Sequence, residues 1–332
     1  MLKKNKIYFI AEAGINHNGS LSFAKKLVIA AKKAGADAIK FQSFFADEFI
    51  SKKNETYKLG PQKKKINVYN LFKQTEFKKD WYKKINNYCK KINIDFISSI
   101  SDKISSDYYF NLKKKIVKIA SEDIINYPLL KYLAKQKNKT FIVSTGMASR
   151  EEISLAVKLL KKKNRIILMH CVSLYPTKLE ESNVNRINAL REKFKLEVGY
   201  SDHTLGFEAM FIAAVQGCKV FEKHFTLNKK MNGPDHHMSM NPTELKSTIN
   251  LLRNINKIKG NGKIDTEGRE LISRKNFRRS IFAKKNINKG EIFSEKNICL
   301  KRPAKGLHPK YFYKVIGKKA KKNLKANEII AI

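Results

Sequence analysis

The sequence predicts an α/β fold: a closed (β/α)8 TIM barrel followed by a small, mostly-β domain. Three observations carry that expectation. Eight short β-branched apolar runs recur along the first three quarters of the chain, each followed by polar residues and then a helical pattern. No G-x-G-x-x-G follows the first run, so the competing doubly wound, dinucleotide-binding sheet lacks its signature. After about residue 275 the alternation stops and short strand-like pieces with turn glycines take over.

The eight expected strands are "IYFIAEAG" (7–14), "DAIKFQSF" (37–44), "IDFISSI" (94–100), "IVKIAS" (116–121), "TFIVSTG" (140–146), "RIILMHCVS" (165–173), "EVGYSDH" (197–203) and "KVFEKHF" (219–225). Between them, "LSFAKKLVIAAKKAGA" (21–36) places apolar residues at three- and four-residue intervals, with Gly35 as its stop. "SREEISLAVKLLKKK" (149–163) opens on a capping-box pattern, Ser149 with Glu152 three residues on. The expected organisation is a barrel over 1–260, a polar, glycine-containing linker over 261–275 and a small domain over 276–332.

At 332 residues, with 42% hydrophobic and 10% aromatic content, the chain can bury a large core and is not of a disordered class. No apolar run approaches the roughly 20 residues of a spanning helix. The opening "MLKKNKIYFIAEAGIN" briefly resembles a signal peptide, but Glu12 and Asn16 interrupt it, so a cytoplasmic location is expected. Cys89, Cys171, Cys218 and Cys299 are scattered, which fits reduced thiols rather than a disulfide framework.

The net charge of +40 raises the possibility of a polyanionic partner such as nucleic acid. Lysine outnumbers arginine about six to one, and its runs ("LKKKIVK", "LLKKKNR") are spread along the chain. A dedicated nucleic-acid binder clusters its charge on one face or arm. The charge is therefore read as a lysine-rich solvated surface, and a nucleic-acid partner is not expected.

In a barrel of this kind the chemistry sits at the C-terminal ends of the strands. Those ends carry Glu12; Lys40 and Gln42; Ser98 and Ser99; Lys118 and Ser121; Ser144 and Thr145; His170 and Tyr175; Asp202 and His203; Glu222 and His224. Lysines with hydroxyls suit an anionic, phosphate-bearing substrate. Histidines with a carboxylate suit a divalent metal. Lys40 and Lys118 interrupt the apolar stretches "AIKFQ" and "VKIAS", where an unpaired charge is costly unless it faces a polar site. No histidine pair has the short spacing of a zinc protease or zinc finger, so any metal site must be assembled by the fold.

On these residues the chain resembles the sialic acid synthase family, which covers N-acetylneuraminate synthases and the related legionaminate and pseudaminate synthases. The matching stretches are "IAEAGINHNGSLSFAKKL", "AGADAIKFQSF", "KIASEDIINYPLL", "STGMAS", "LMHCVSLYPT", "VGYSDHTLG", "EKHFTL", "GPDHHMSMNPTEL" and "NFRRSIFAKKNINKGE", in order over nearly the full length. The resemblance implies binding of phosphoenolpyruvate and an open-chain N-acetylated amino sugar. It implies a divalent metal, Mn2+ before Mg2+ or Co2+, held at His203 and His224, with Glu12 as a nearby carboxylate. In a barrel these three would converge, because the first strand closes against the eighth. Lys40, Lys118, Ser121 and Ser144 match groups that hold phosphoenolpyruvate. Gln42, Tyr175 and Asp235 match residues of the sugar site. The last domain resembles the SAF, or antifreeze-like, domain, whose "KRP" arginine, here Arg302, is implied to reach the partner's site in a domain-swapped homodimer.

Other histidines receive lesser roles: His17 orders a loop near the site, His170 belongs to the barrel wall, and His236 and His237 lie in a solvated loop. The chain also departs from the family pattern. "SSIS" replaces a Ser-Thr-Pro-Phe-like stretch after the third strand, though Ser99 keeps a hydroxyl. In "ASEDI", Glu122 stands where glycine is common and Asp123 falls at a sugar-contacting acid. The segment 51–75 matches poorly and supplies no site residue.

The implied reaction condenses phosphoenolpyruvate with N-acetylmannosamine or 2,4-diacetamido-2,4,6-trideoxymannose to a nine-carbon α-keto acid and phosphate. Pseudaminate synthesis is an alternative product. A keto-deoxy sugar acid phosphate synthase is an alternative enzyme, but it needs further basic residues for a second phosphate, where this chain has Asp235. A catalytically inactive carbohydrate- or nucleic-acid-binding protein is the alternative outside enzymes.

Overall fold

All eight expected runs form strands of one closed parallel barrel in the computed structural model, which describes residues 6–53, 56–59 and 64–330. The first residues of the expected barrel segment and the last two of the final domain lie outside the described residues. The barrel strands are β1 (Tyr8–Gly14), β2 (Ala38–Ser43), β5 (Asp95–Ile100), β6 (Ile116–Ile119), β7 (Thr140–Ser144), β8 (Arg165–His170), β9 (Glu197–Asp202) and β10 (Val220–His224). A hairpin, β3 (Thr56–Leu59) with β4 (Lys64–Asn67), is inserted after β2 and, among the described residues, forms a two-stranded sheet of its own. Around the ring the order is β1-β10-β9-β8-β7-β6-β5-β2.

The period-two alternation of strands divides the side chains into two cores. Ile10, Ala38, Ile97, Ile142, Ile167, Met169 and Val220 fill the barrel interior. Phe9, Ile39, Phe96, Val117, Phe141, Leu168 and Phe221 point the other way, into a larger core with the helical residues Leu27, Val28, Trp81, Leu130 and Leu252. Each such large side chain contributes roughly 1.5–3 kcal/mol by leaving water. The interior is tightly filled. At Gly199 an added Cβ would come within 2.5 Å of both Met169 Sδ and the Val220 carbonyl oxygen.

The helices start and stop where local chemistry dictates. Ser20 Oγ accepts the Phe23 N–H to open the helix Leu21–Ala34, and Gly35, at φ +93°, ends it. The capping box at Ser149 and Glu152 forms and opens the helix Arg150–Leu160. No helix among the described residues is long and apolar enough to cross a membrane.

The chain divides into two compact units, Met1–Lys259 and Gly260–Ile332. In the second, the helix Glu270–Phe277 precedes an antiparallel pair, β11 (Ser280–Ala283) and β12 (Ile298–Lys301). Isolated bridges such as Ile287–Leu324 and Ile292–Lys319 extend this β character. Ile281, Ile287, Phe293, Ile298, Val315 and Ile330 form its own core.

Candidate active site

Two residues beyond the apolar plug, along the same inward faces, the chemistry changes. Ile10 is followed by Glu12, Ala38 by Lys40, Ile97 by Ser99, Ile142 by Ser144 and Val220 by Glu222. A continuous polar layer thus caps the C-terminal end of an apolar barrel, and its charged members are nearly fully buried.

That layer is organised by one carboxylate. Glu222 Oε1 lies 3.4 Å from Lys40 Nζ and 3.3 Å from Lys118 Nζ, and it accepts from Ser201 Oγ at 3.4 Å. Glu12 Oε1 holds Lys40 from the other side at 2.8 Å. Two carboxylates thus face two ammonium groups in a buried site. Burial pushes Glu12 up to about 7; Lys40 pulls against that shift and the Glu222 charge adds to it. Burial would also raise Glu222, but Lys118 and Lys40 together outweigh it and hold the group below its ordinary value. Burial alone would depress Lys40, and Glu12 and Glu222 overcome it, so Lys40 stays firmly protonated. The second oxygens of Glu12 and Glu222 have no hydrogen-bond partner. Buried acceptors of this kind are costly unless water or a ligand completes them.

His203 and His224 meet beside this cluster, with ring centroids 5.6 Å apart. The Val172 carbonyl lies 2.6 Å from His203 Nδ1, so that nitrogen donates and Nε2 keeps its lone pair. His224 Nδ1 is buried without a hydrogen-bond partner, and Asp235 Oδ2 stands 3.7 Å from it. Burial lowers His203 to about 4, and burial, then His203 and the nearby lysines, hold His224 well below the ordinary imidazole range. Two neutral imidazoles, one oriented by a backbone carbonyl and one with an orphaned nitrogen, are a donor set that fits a divalent metal.

The expected third member does not join them. Among the described residues no three His, Cys, Asp or Glu side chains are arranged to hold an ion. In register, Glu12 lies between Lys40 and His224, and its carboxylate pairs with the ammonium group. Among the described residues the side chains whose chemistry fits a metal here are therefore the two histidines, His203 and His224.

The hydroxyl groups gather on the opposite arc. Ser121 Oγ lies 3.2 Å from Cys171 Sγ. Gly146 leaves the space between them open: a Cβ there would fall 2.3 Å from Ser173 Oγ and 2.7 Å from Ser121 Oγ. Ser144 is buried at the end of β7, and Ser99 pairs in register with Lys118. Gln42 is half-buried on β2, beside Gly14. At the mouth, the Tyr175 ring is half-exposed and packs 4.4 Å from His203 and 5.9 Å from His224. Asp123, in the short turn Glu122–Ile125, is buried with Oδ2 unpartnered; burial, then the Glu122 charge, pushes it up to about 7. Arg302 belongs to the second unit, where its exposed guanidinium lies 5.9 Å from the Phe277 ring.

Strand parity removes several strand-end residues from the site. Ser98 points outward and hydrogen-bonds Ser43, and Thr145 bonds the Met169 carbonyl. His170 lies 2.8 Å from the Ser182 carbonyl oxygen in the barrel wall. Asp202 faces the helices, where Lys223 Nζ reaches it at 2.6 Å in a fully buried pair. His17 packs among Phe41, Phe77 and Trp81, and its Nδ1 accepts the Gly19 N–H, so it orders its loop from outside the site. His236 is not a solvated loop residue: it is fully buried, 2.7 Å from Thr226 Oγ1 and 3.2 Å from Asn18 Oδ1. The residue that sequence reasoning underused is Glu222. The signal was its separation of two from His224 on one strand, which puts both on the inner face.

Comparison with known proteins bears on the family and the fold. The family model described as "NeuB family" matches residues 27–264, and the SAF domain model matches residues 278–331. The chain is 42% identical to the N,N'-diacetyllegionaminic acid synthase of Campylobacter jejuni, over 98% of this chain and 99% of that protein. It is 37% identical to a pseudaminic acid synthase of the same species, over 98% of this chain and 95% of that protein. Among solved structures it is similar to the N-acetylneuraminic acid synthetase of Leptospira borgpetersenii determined with citrate, with 34% identity and a TM-score of 0.72. That match covers 81% of this chain and 90% of the other.

Proposed function

We propose a function for this chain from one premise: it belongs to the NeuB family, whose members are metal-dependent, phosphoenolpyruvate-dependent synthases of nonulosonic acids. Its substrates on this reading are phosphoenolpyruvate and an open-chain 2-acetamido sugar, and its products a nine-carbon α-keto acid and phosphate. N-acetylmannosamine and 2,4-diacetamido-2,4,6-trideoxymannose are the leading candidates for the sugar. The observation that carries the reading is the buried Lys40–Glu222–Lys118 bridge beside a pair of neutral histidines.

Lys40 and Lys118 bind the carboxylate and phosphate of phosphoenolpyruvate, replacing part of their bond to Glu222 with bonds to the substrate. Ser121 and Ser144 add hydroxyl donors on the same side. A divalent metal at His203 and His224, Mn2+ foremost, supplies Lewis acidity to the sugar aldehyde. Gln42, Ser99, Tyr175, Asp123 and Asp235 orient the sugar above the enol so that its aldehyde carbon meets C3 of phosphoenolpyruvate. A carbon–carbon bond forms, and the positive charge left at C2 is captured by water. Glu12, raised to about 7 and with one oxygen unpartnered, takes the proton of that water. The tetrahedral intermediate then collapses, and phosphate leaves with the bridging oxygen. The lysines offset the anionic charge that would otherwise repel both the water and Glu12.

The chain acts as a domain-swapped homodimer on this reading. Arg302 has no ion-pair partner among the described residues, which leaves its guanidinium available to close the site of a second copy and limit wasteful hydrolysis. The mechanism is tested with phosphoenolpyruvate labelled by 18O at the bridging position. The label is expected in inorganic phosphate. Label retained in the keto acid overturns this mechanism.

A further inference from the structure

We propose that Lys223 is a positioning residue for the metal: it ties the chain on both sides of His203 to the strand that carries His224, and so sets the separation of the two imidazoles. The inference rests on the reading above of those histidines as the metal's ligands and adds what holds them at their spacing.

The two histidines are anchored unequally. His224 ends β10 with sheet at its flank: it stands in register with Glu12 of β1, and its carbonyl accepts the Met240 N–H at 2.8 Å. His203 lies one residue beyond the end of β9. The register of β9 with β10 closes at Asp202 opposite Lys223, so among the described residues His203 itself has no register partner on β10.

Lys223 supplies the tie. Its ammonium has three protons and meets three acceptors: Asp202 Oδ2 at 2.6 Å, the Thr204 carbonyl, and the Gly206 carbonyl at 2.9 Å. Asp202 precedes His203 and Thr204 follows it, so one side chain brackets the histidine. Asp202 locks the same turn. Its Oδ1 accepts the Thr204 N–H at 3.0 Å and the Tyr200 hydroxyl at 3.2 Å, and its Oδ2 accepts the Thr204 hydroxyl at 3.1 Å. Side chains alternate along a strand, so Lys223 and Asp202 point outward while their neighbours His224 and His203 turn to the site. The Val172 carbonyl orients the His203 ring, and Lys223 places its backbone.

Stability is a poor explanation of this pair. Other outward positions on the strands are apolar, Phe9, Phe96, Phe141 and Phe221 among them. The side chains of Lys223 and Asp202 are 1% and 0% exposed. Taking two charges out of water at such a place is costly, and apolar side chains of like size are often as stable. Apolar side chains cannot, however, grip the two loop carbonyls that lead the chain away from His203.

Mn2+ binding, measured by equilibrium dialysis on folded protein well below its melting temperature, tests this without turnover. Lys223→Met removes the tie, and the sign of the change is diagnostic. Deleting a positive charge from the strand that carries His224 would by itself tighten binding of a cation, whereas loss of positioning weakens it. A loss of about tenfold or more is expected, in the range that supporting groups cost a metal site. The double variant Asp202→Asn with Lys223→Met removes both charges together, the change a buried pair tolerates best, and should show a loss of the same order. If Lys223→Met fails to fold, the double variant decides. Arg253→Met breaks the Asp37 ion pair at the opposite end of the barrel and should leave Mn2+ affinity unchanged. Unchanged or tighter binding in either folded variant at Lys223 overturns the proposal. An equal loss in Arg253→Met overturns it too, because affinity would then follow stability alone. Normal Mn2+ binding by the wild type in those cases leaves the metal reading standing. A wild type that binds no Mn2+, or binds it as well without His203 and His224, removes both.

Discussion

Lys118 on β6 and Glu222 on β10 join at 3.3 Å across the full width of the barrel, since four strand positions separate them around an eight-membered ring. Lys40, two strands from each, lies 3.4 Å from the same oxygen. A buried pair of this kind is held at a desolvation cost, so its geometry marks a site rather than a source of stability.

Removing the bridging charge should therefore be felt twice. Glu222→Gln leaves two buried ammonium groups facing one carboxylate, which costs on the order of 3 kcal/mol in stability. Phosphoenolpyruvate replaces the missing negative charge, so it should raise the melting temperature of the variant more than that of the wild type. Thermal unfolding with and without phosphoenolpyruvate checks this. Equal ligand shifts in the two proteins would contradict the bridge-exchange account.

Replacing either lysine should cut turnover sharply without unfolding the barrel. Lys40→Met and Lys118→Met are each expected to lower kcat/KM by roughly two to three orders of magnitude, the usual loss when one partner of a desolvated charge pair is truncated. Far-UV circular dichroism should stay close to wild type. Near-normal kinetics in Lys118→Met would remove that residue from the phosphoenolpyruvate site.

The metal prediction has a readout independent of activity. His203→Ala and His224→Ala should each weaken Mn2+ binding by more than about a hundredfold in equilibrium dialysis, more than a merely orienting neighbour costs. Protons compete for the same nitrogens, but burial has lowered His203 to about 4. Binding in the wild type should therefore persist as pH falls through 6 and fade only toward 4. A loss centred on the ordinary imidazole range would indicate an exposed, unperturbed pair.

Asp123 gives a stability test with a definite sign. Its folded value, about 7, lies above the unfolded one, so its protonated form favours the fold. The associated stability is fully present below about pH 4 and is lost as pH rises through 7. Asp123→Asn should thus leave the unfolding free energy unchanged near pH 4 and raise it at pH 8, by on the order of 2–4 kcal/mol, with a higher melting temperature there. On the proposed reading, in which Asp123 orients the sugar, the same change should lower turnover. A variant less stable than wild type at pH 8 would mean the carboxylate has a partner it needs.

The swapped dimer is tested by complementation. Arg302→Ala and Lys118→Met are each inactive on this account. Mixed as subunits they should recover activity, up to about a quarter of wild type, since half the dimers are mixed and each has one intact site. No recovery in confirmed mixed dimers would place Arg302 in its own subunit's site or in none.

Much of this was legible in the sequence because a barrel strand has a simple period. The β-branched runs located the strands, and their polar C-terminal ends located the site layer. What the runs did not give was parity. Ser98 and Ser99, or Asp202 and His203, are adjacent in sequence yet face opposite sides, and only the pairing fixes which is inside. Long-range partners were also hidden. Nothing local says that Lys223 would bury its charge on Asp202, or that His236 would sit between Thr226 and Asn18. Glu222 was visible as a strand-end acid, but its role came from lysines more than a hundred residues away in sequence.

The central claim is that this cup of lysines, acids and histidines joins phosphoenolpyruvate to an amino sugar. Phosphate release from phosphoenolpyruvate tests it most directly, with Mn2+ or with chelator, and with N-acetylmannosamine or 2,4-diacetamido-2,4,6-trideoxymannose. The account predicts release that needs both metal and one of the sugars, in step with the appearance of a nine-carbon keto acid. Release without any sugar, or none with any of them from folded dimer, would contradict it.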